Sequence, residues 1–152
     1  MSFNVQKLKK IVVLLSVGFI SLFSFAQSGI ANDFDPKFKV VIQVSTDDPR
    51  TQNIALNNAV NLQKEYGIDN VAVEVVAYGP GLGILTTKNK QTERVKSLAA
   101  QNIRFSACGN TMKKITKKTG KKPELTDGVV VVNAGVGRIM ELQHDGYAYI
   151  RP

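Results

Sequence analysis

The stretch FKVVIQVSTDDPRTQNIALNNAVNLQKEYGI, residues 38–68, decides the fold class. Phe38 to Val44 is a β-branched run of strand length. Asp48 then offers a side-chain acceptor to the free N–H groups of a helix start, and Pro49 suits a first turn that needs no N–H. Ala55, Ala59, Leu62 and Tyr66 recur on one helical face, with Leu56 and Val60 beside them. Gly67 followed by Ile68 reads as a left-handed C-cap with its apolar follower. A strand running into a capped, one-sided helix is a βα unit.

The same alternation continues outward. Val71 to Tyr78 (VAVEVVAY) is a second strand, running into the loop Gly79-Pro80-Gly81-Leu82-Gly83. Gln91 to Gln101 reads as a helix with Val95, Leu98 and Ala99 inward. Ile103 to Ala107 makes a short third strand that ends at Cys108. A helix from about Asn110 to Thr119 follows, stopped by Gly120. Gly128 to Val132 (GVVVV) is an unbroken apolar run of the kind buried on both faces of a sheet. Gly135 and Gly137 open a short helix through Met140, Leu142 and Gln143 that stops near Gly146, and Tyr147 to Ile150 is a fifth strand. Strands alternating with helices predict a mainly parallel sheet covered on both faces, a single α/β domain.

Composition narrows the chemistry. The chain has 152 residues, 20 of them Lys or Arg and 12 Asp or Glu, for a formal charge of +8. The length suits one domain with core enough to fold alone, and charged residues at 21% are too sparse for a disordered polyelectrolyte. There is one cysteine, one histidine and no tryptophan. A lone Cys closes no intramolecular disulfide, and structural zinc sites built from cysteines and histidines, like iron–sulfur sites, need more ligands than one chain holds. The single His and single Cys also argue against a catalytic zinc held by protein ligands alone. Neither a metal nor a cofactor is expected.

Lys7, Lys9 and Lys10 precede an uncharged run from Ile11 to Phe25, with small residues at Ser24-Phe25-Ala26 and Gly29-Ile30-Ala31. Basic, apolar, then small is the order of a secretory signal peptide. The run falls short of the roughly 20 residues that span a bilayer. No Cys follows it, which excludes a lipoprotein anchor at that site. Residues 1–31 are therefore expected to be a signal peptide cleaved after Ala26 or Ala31, with residues 32–152 a single domain in the periplasm. The mature charge is then +5, from 17 basic and 12 acidic residues. An oxidising compartment makes an unpaired cysteine notable.

In a parallel α/β sheet, ligands bind at the carboxyl edge of the strands. That edge is expected to gather Ser45, Thr46 and Asp47, then Gly79 to Gly83, then Cys108-Gly109-Asn110-Thr111, and Asn133-Ala134-Gly135. Cys108 stands where a strand enters a helix N-terminus, with Gly109 allowing close approach and Asn110 or Thr111 available as caps. Backbone N–H groups, the helix dipole and nearby Lys113 and Lys114 favour its thiolate. The plain alternative is a packed, structural cysteine. The GPGLG loop lacks both GxGxxG spacing and a GK[ST] ending, so it reads as a tight turn giving backbone clearance beside the cysteine. Asn133 to Gly137 offers N–H groups to an anion, or is simply a strand-to-helix turn. His144, beside Asp145 and Gly146, reads as a helix C-terminal residue rather than a base for Cys108.

Residues 113–122 hold six lysines and no acid. Lys113, Lys114, Lys117 and Lys118 form one stripe on a helix, leaving Met112 and Ile115 inward. Such a run is a solvated face, or in a functional reading a surface for an anionic partner or membrane. Nucleic acid is not expected, because no aromatics interleave the lysines and the chain carries an export leader.

Ala77-Tyr78-Gly79-Pro80-Gly81-Leu82, Ile103 through Met112, Gly128 through Val136, and Leu142 through Pro152 together closely resemble the exported branch of the DsrE/DsrF-like family. The resemblance implies a three-layer α/β/α fold with a five-stranded parallel sheet, usually assembled into homo-oligomers. Cytoplasmic members of the wider family relay sulfur as a cysteine persulfide in sulfur oxidation or tRNA thiolation. Carried to this chain, that role falls on Cys108 as a sulfur carrier or transferase. Gly79, Gly109, Asn110, Thr111, Asn133 and Gly135 would be the binding groups around it. External sulfur donor and acceptor proteins are then required, since no second cysteine resolves the persulfide. Membrane contact would come only through an uncleaved leader. The competing reading is a non-catalytic oligomeric module that binds a small anion or a partner, with Cys108 merely structural. The leader separates this chain from tRNA and cytoplasmic relays, and the lysine-rich helix is no part of the family pattern.

Overall fold

Strands and helices alternate in chain order in a computed structural model that describes residues 36–152. The expected signal peptide, and most of the arm at 32–37, lie outside the described residues. The strands are β1 (Phe38–Val44), β2 (Val71–Ala77), β3 (Ile103–Cys108), β4 (Val129–Val132) and β5 (Ala148–Ile150). The helices are α1 (Pro49–Tyr66), α2 (Thr92–Ala99), α3 (Gly109–Thr119) and α4 (Gly135–His144), with a 3-10 segment at Gly79–Leu85. All strand pairs are parallel, in the order β4-β3-β2-β1-β5.

The period of two along each strand sorts side chains into two unequal layers. One face carries Val40, Ile42 and Val44 of β1, Val73 and Val75 of β2, and Phe105 of β3. It is covered by α1, the 3-10 segment, α2 and α3 through Leu56, Leu82, Ile84, Leu85, Val95, Leu98 and Met112. Each such fully buried large side chain contributes roughly 1.5–3 kcal/mol. The other face packs Val41 and Val76 against Ile139 and Leu142 of α4 alone, with Tyr78 and Tyr147 at the margin. The reason is topological. Connections β1 to β4 all step one way along the sheet, and right-handed crossovers put their helices on one side. Only the return from β4 to β5 places a helix opposite. The expected parallel sheet with helices on both faces is therefore present, as a three-layer α/β/α sandwich.

Local chemistry explains the elements and corrects several expectations. Asp48 caps α1, its Oδ2 accepting the Thr51 N–H at 2.7 Å, and Pro49 occupies the first turn. Gly67 stops the helix, but at φ +87° and ψ 147° it lies outside the left-handed helical region expected of it. Its positive φ still requires glycine. Gly79–Leu85 is a seven-residue 3-10 helix rather than a tight turn. The apolar residues past the glycines explain it: Leu82, Ile84 and Leu85 are fully buried and draw the chain down onto the sheet. Gly81 permits this, since a Cβ there would overlap the Val44 carbonyl. Its clearance is against the end of β1, not against Cys108.

The β4 valines are not buried on both faces. β4 is an edge strand, with β3 its sole neighbour in the sheet, and Val131 is 56% exposed. Four valines suffice to make a strand, but an edge position leaves one flank uncovered. Conversely, Glu74 in the middle of β2 is 2% exposed, a buried charge that apolar patterning did not anticipate.

Candidate functional site

The ends of β2, β3 and β4 meet at the carboxyl edge, where Ala77 pairs with Ala107 and Cys108 with Val132. Cys108 closes β3 and itself stands at the N-cap position of α3, which begins at Gly109 rather than Asn110. No side chain caps α3, so Asn110 and Thr111 do not serve as expected. Thr111 turns instead toward the 3-10 segment, where its Oγ1 accepts the Gly79 N–H at 3.0 Å. Asn110 donates its N–H to the Asn133 carbonyl at 3.2 Å, tying the start of α3 to the end of β4. Asn133 therefore contributes an acceptor here.

Glycines set how closely these elements approach. A Cβ on Gly109 would stand 3.0 Å from the Val132 carbonyl. A Cβ on Gly135 would stand 3.0 Å from the Tyr78 side chain and 3.3 Å from the Cys108 Cβ. The first turn of α4 thus lies directly over the cysteine. Two helix N-termini, of α3 and α4, converge on one sulfur.

The electrostatics follow from that convergence. Burial raises the Cys108 pKa, while the Thr111 hydroxyl and the backbone N–H groups of Gly135, Thr111 and Asn110 lower it, and the net shift is downward. Because Thr111 Oγ1 already accepts from Gly79, its own hydrogen is free to face the sulfur. The groups that lower the pKa, one hydroxyl and three backbone N–H groups, all act as donors. Such donors favour the thiolate over the thiol. With the residue 5% exposed, only a small or narrowly projecting reactant can reach it.

Gly79, Cys108, Gly109, Asn110, Thr111, Asn133 and Gly135 are therefore brought together. Ser45, Thr46 and Asp47 are not part of this contact set. Ser45 Oγ accepts from Gln43, and the Thr46 carbonyl and hydroxyl serve Gln52 and Asp48. His144 closes α4 about 14 Å along the helix from Gly135, away from Cys108. Lys113, Lys114, Lys117 and Lys118 form the expected exposed stripe on α3, with Met112 and Ile115 inward, and a groove runs along each of its flanks. Lys114 and Lys118 line a groove of about 640 Å³ with Tyr78, Gly79, Pro80 and Thr111. Lys113, Lys117 and Lys122 flank another of about 590 Å³ with Met112 and Val131.

Residues 38–152 match the DsrE/DsrF-like family. The chain belongs to that family. Among solved structures of similar form is the protein of unknown function MTH1491 from Methanobacterium thermoautotrophicum. It is 35% identical, with 76% of this chain and 99% of that one covered and a TM-score of 0.68. The ychN protein from E. coli shares the fold at 15% identity, covering 77% of this chain and 99% of that one, with a TM-score of 0.58. No curated protein matches the chain. The family assignment accounts for the three-layer sheet and suggests, at the level of the family, a part in sulfur relay.

A second cluster lay outside the sequence-level expectations. Glu74 Oε1 accepts from Ser106 Oγ at 2.6 Å and Arg138 Nε at 2.9 Å, and its Oε2 accepts from Arg138 Nη2 at 2.8 Å. Arg104 Nε stands 3.5 Å away. The carboxylate of Glu74, with that of Glu141, holds the Arg138 guanidinium firmly protonated against the opposing effect of burial. The one signal was a lone acid in the otherwise apolar strand VAVEVVA.

Proposed function

We propose that this DsrE-family protein is an exported sulfur carrier that binds sulfane sulfur as a persulfide on Cys108. The observation that carries the reading is a buried cysteine at the start of one helix with the first turn of another packed against it, its pKa lowered by the Thr111 hydroxyl and three backbone N–H groups despite burial. The Cys108 thiolate attacks the outer sulfur of a donor persulfide R–S–SH. The Cys108 S–S bond forms, the R–S–S bond breaks, and R–S⁻ leaves with the electron pair. The proton stays on the transferred sulfur, and no external oxidant or reductant is needed. An acceptor thiolate then removes the outer sulfur and restores the Cys108 thiolate. With one cysteine in the chain, donor and acceptor must be other molecules.

The leader-like residues 1–31 support a periplasmic location, and family membership supports a homo-oligomer. Intact mass after polysulfide treatment tests the carrier role. The expected result is added mass corresponding to whole sulfur atoms, removed by cyanide or dithiothreitol and absent from Cys108→Ser. Unmodified protein with Cys108 inaccessible to iodoacetamide under native conditions would contradict it. The low exposure of Cys108 favours a second reading, an anion-binding module in which the cysteine only packs. In that case Cys108→Ala keeps its affinity for the anion and the wild type takes up no sulfur.

A further inference from the structure

Among the described residues, Glu74 is the one buried charged side chain, and the sulfur chemistry above makes no use of it. Burying a carboxylate is costly, and an apolar residue in β2 would pack without that cost. Its placement supplies a reason. Ser106, which donates to Glu74, lies two residues before Cys108 and on the same face of β3. Arg138, which grips both carboxylate oxygens, lies three residues after Gly135, one turn along α4. Glu74 therefore joins the strand that carries the sulfur to the helix whose first N–H faces it.

α4 has few other fastenings. Only Ile139 and Leu142 seat it on Val41 and Val76 among buried apolar residues. Apolar contact is tolerant of small slides and rotations, whereas a two-point Arg–carboxylate fork is directional. We infer that Glu74, held by Ser106 and forked onto Arg138, is a positioning residue that sets α4 so that the Gly135 N–H faces Cys108. This rests on the reading of Cys108 as a reactive thiolate. Other titratable groups around the pair are Arg104, Glu141 and Tyr147. Around the cysteine they are Tyr78, against Gly135, and Lys113 and Lys114 on α3.

The pH profile of Cys108 alkylation by iodoacetamide, measured on the purified protein and its variants, tests this. Arg138→Lys keeps the charge and loses the fork. Its profile midpoint should move upward and its rate near neutral pH fall by up to about threefold, the worth of the helix-terminus interaction that Arg138 positions. Glu74→Gln should act in the same direction. Should it fail to fold, Arg138→Lys and Arg138→Met carry the test. Combined with Gly135→Ala, Arg138→Lys should add little further shift, because both act through the same N–H. Folded variants with lower melting temperature but the wild-type midpoint would overturn the positioning role while leaving the sulfur site intact. A wild-type midpoint at the ordinary thiol value would instead remove the reading on which the inference rests.

Discussion

Cys108 couples its protonation to folding. Its pKa is lowered in the folded chain from an ordinary 9.0, so the unfolded chain binds the proton more tightly. Stability relative to Cys108→Ala should therefore rise as pH increases from the folded pKa through about 9, hold level above it and gain nothing from this group below the window. Chemical denaturation of both proteins across this range checks the sign. Gly135→Ala places a methyl group against Tyr78 and Cys108 and pushes the α4 N-terminus away. Its alkylation rate near neutral pH should fall about threefold, the worth of a helix-terminus interaction. An unchanged rate would mean that α4 plays no part in the thiolate. Cys108 itself was legible in the sequence, because a strand ending in Cys-Gly before a helical pattern states its own surroundings. The Gly79, Thr111 and Gly135 contacts were only partly legible. Which group donates to which depends on distances between elements far apart in the chain.

The elements show the two periodicities at work and the place where they mislead. α1 is read from its cap and its apolar face, and Asp48 performs as expected. Thr51, through its hydroxyl and then its N–H, holds the Asp48 carboxyl below the usual 3.8. That stabilisation is present above the unfolded carboxylate pKa and lost as pH falls through the lower folded value. The melting temperature of Asp48→Ala should fall below wild type at neutral pH, with the gap closing in acid. Gly79–Leu85 was legible as glycine-rich but not as helical, since its apolar half belongs to the core rather than to a loop. Gly81→Ala should destabilise the protein by roughly 1–3 kcal/mol, because the new methyl meets the β1 backbone rather than a movable side chain. Urea denaturation would reveal it, and a neutral result would show that the segment can lift off β1. The valines of β4 misled for a related reason: an apolar run marks a strand without saying whether it lies at the centre or the edge.

For the whole molecule, strand count and alternation were enough to foresee a parallel sheet with helices on both faces. They did not foresee how unequally the faces are covered. One carries three helices and the 3-10 segment, the other α4 alone. Val136 and Met140 remain 57% and 66% exposed on that solitary helix. The proposed self-association has an apolar surface there. Met140→Glu should yield a smaller species by light scattering after gel filtration, and an unchanged mass would place the contact elsewhere. The charge is unevenly spread too, with lysines lining grooves on both flanks of the helix that follows Cys108. The functional account stands on the ionisation of one sulfur. The direct measurement is an ultraviolet titration of thiolate absorbance, taken as the difference between wild type and Cys108→Ser so that tyrosines cancel. A midpoint below the ordinary 9.0 is the predicted result, and a midpoint at or above that value would contradict the account.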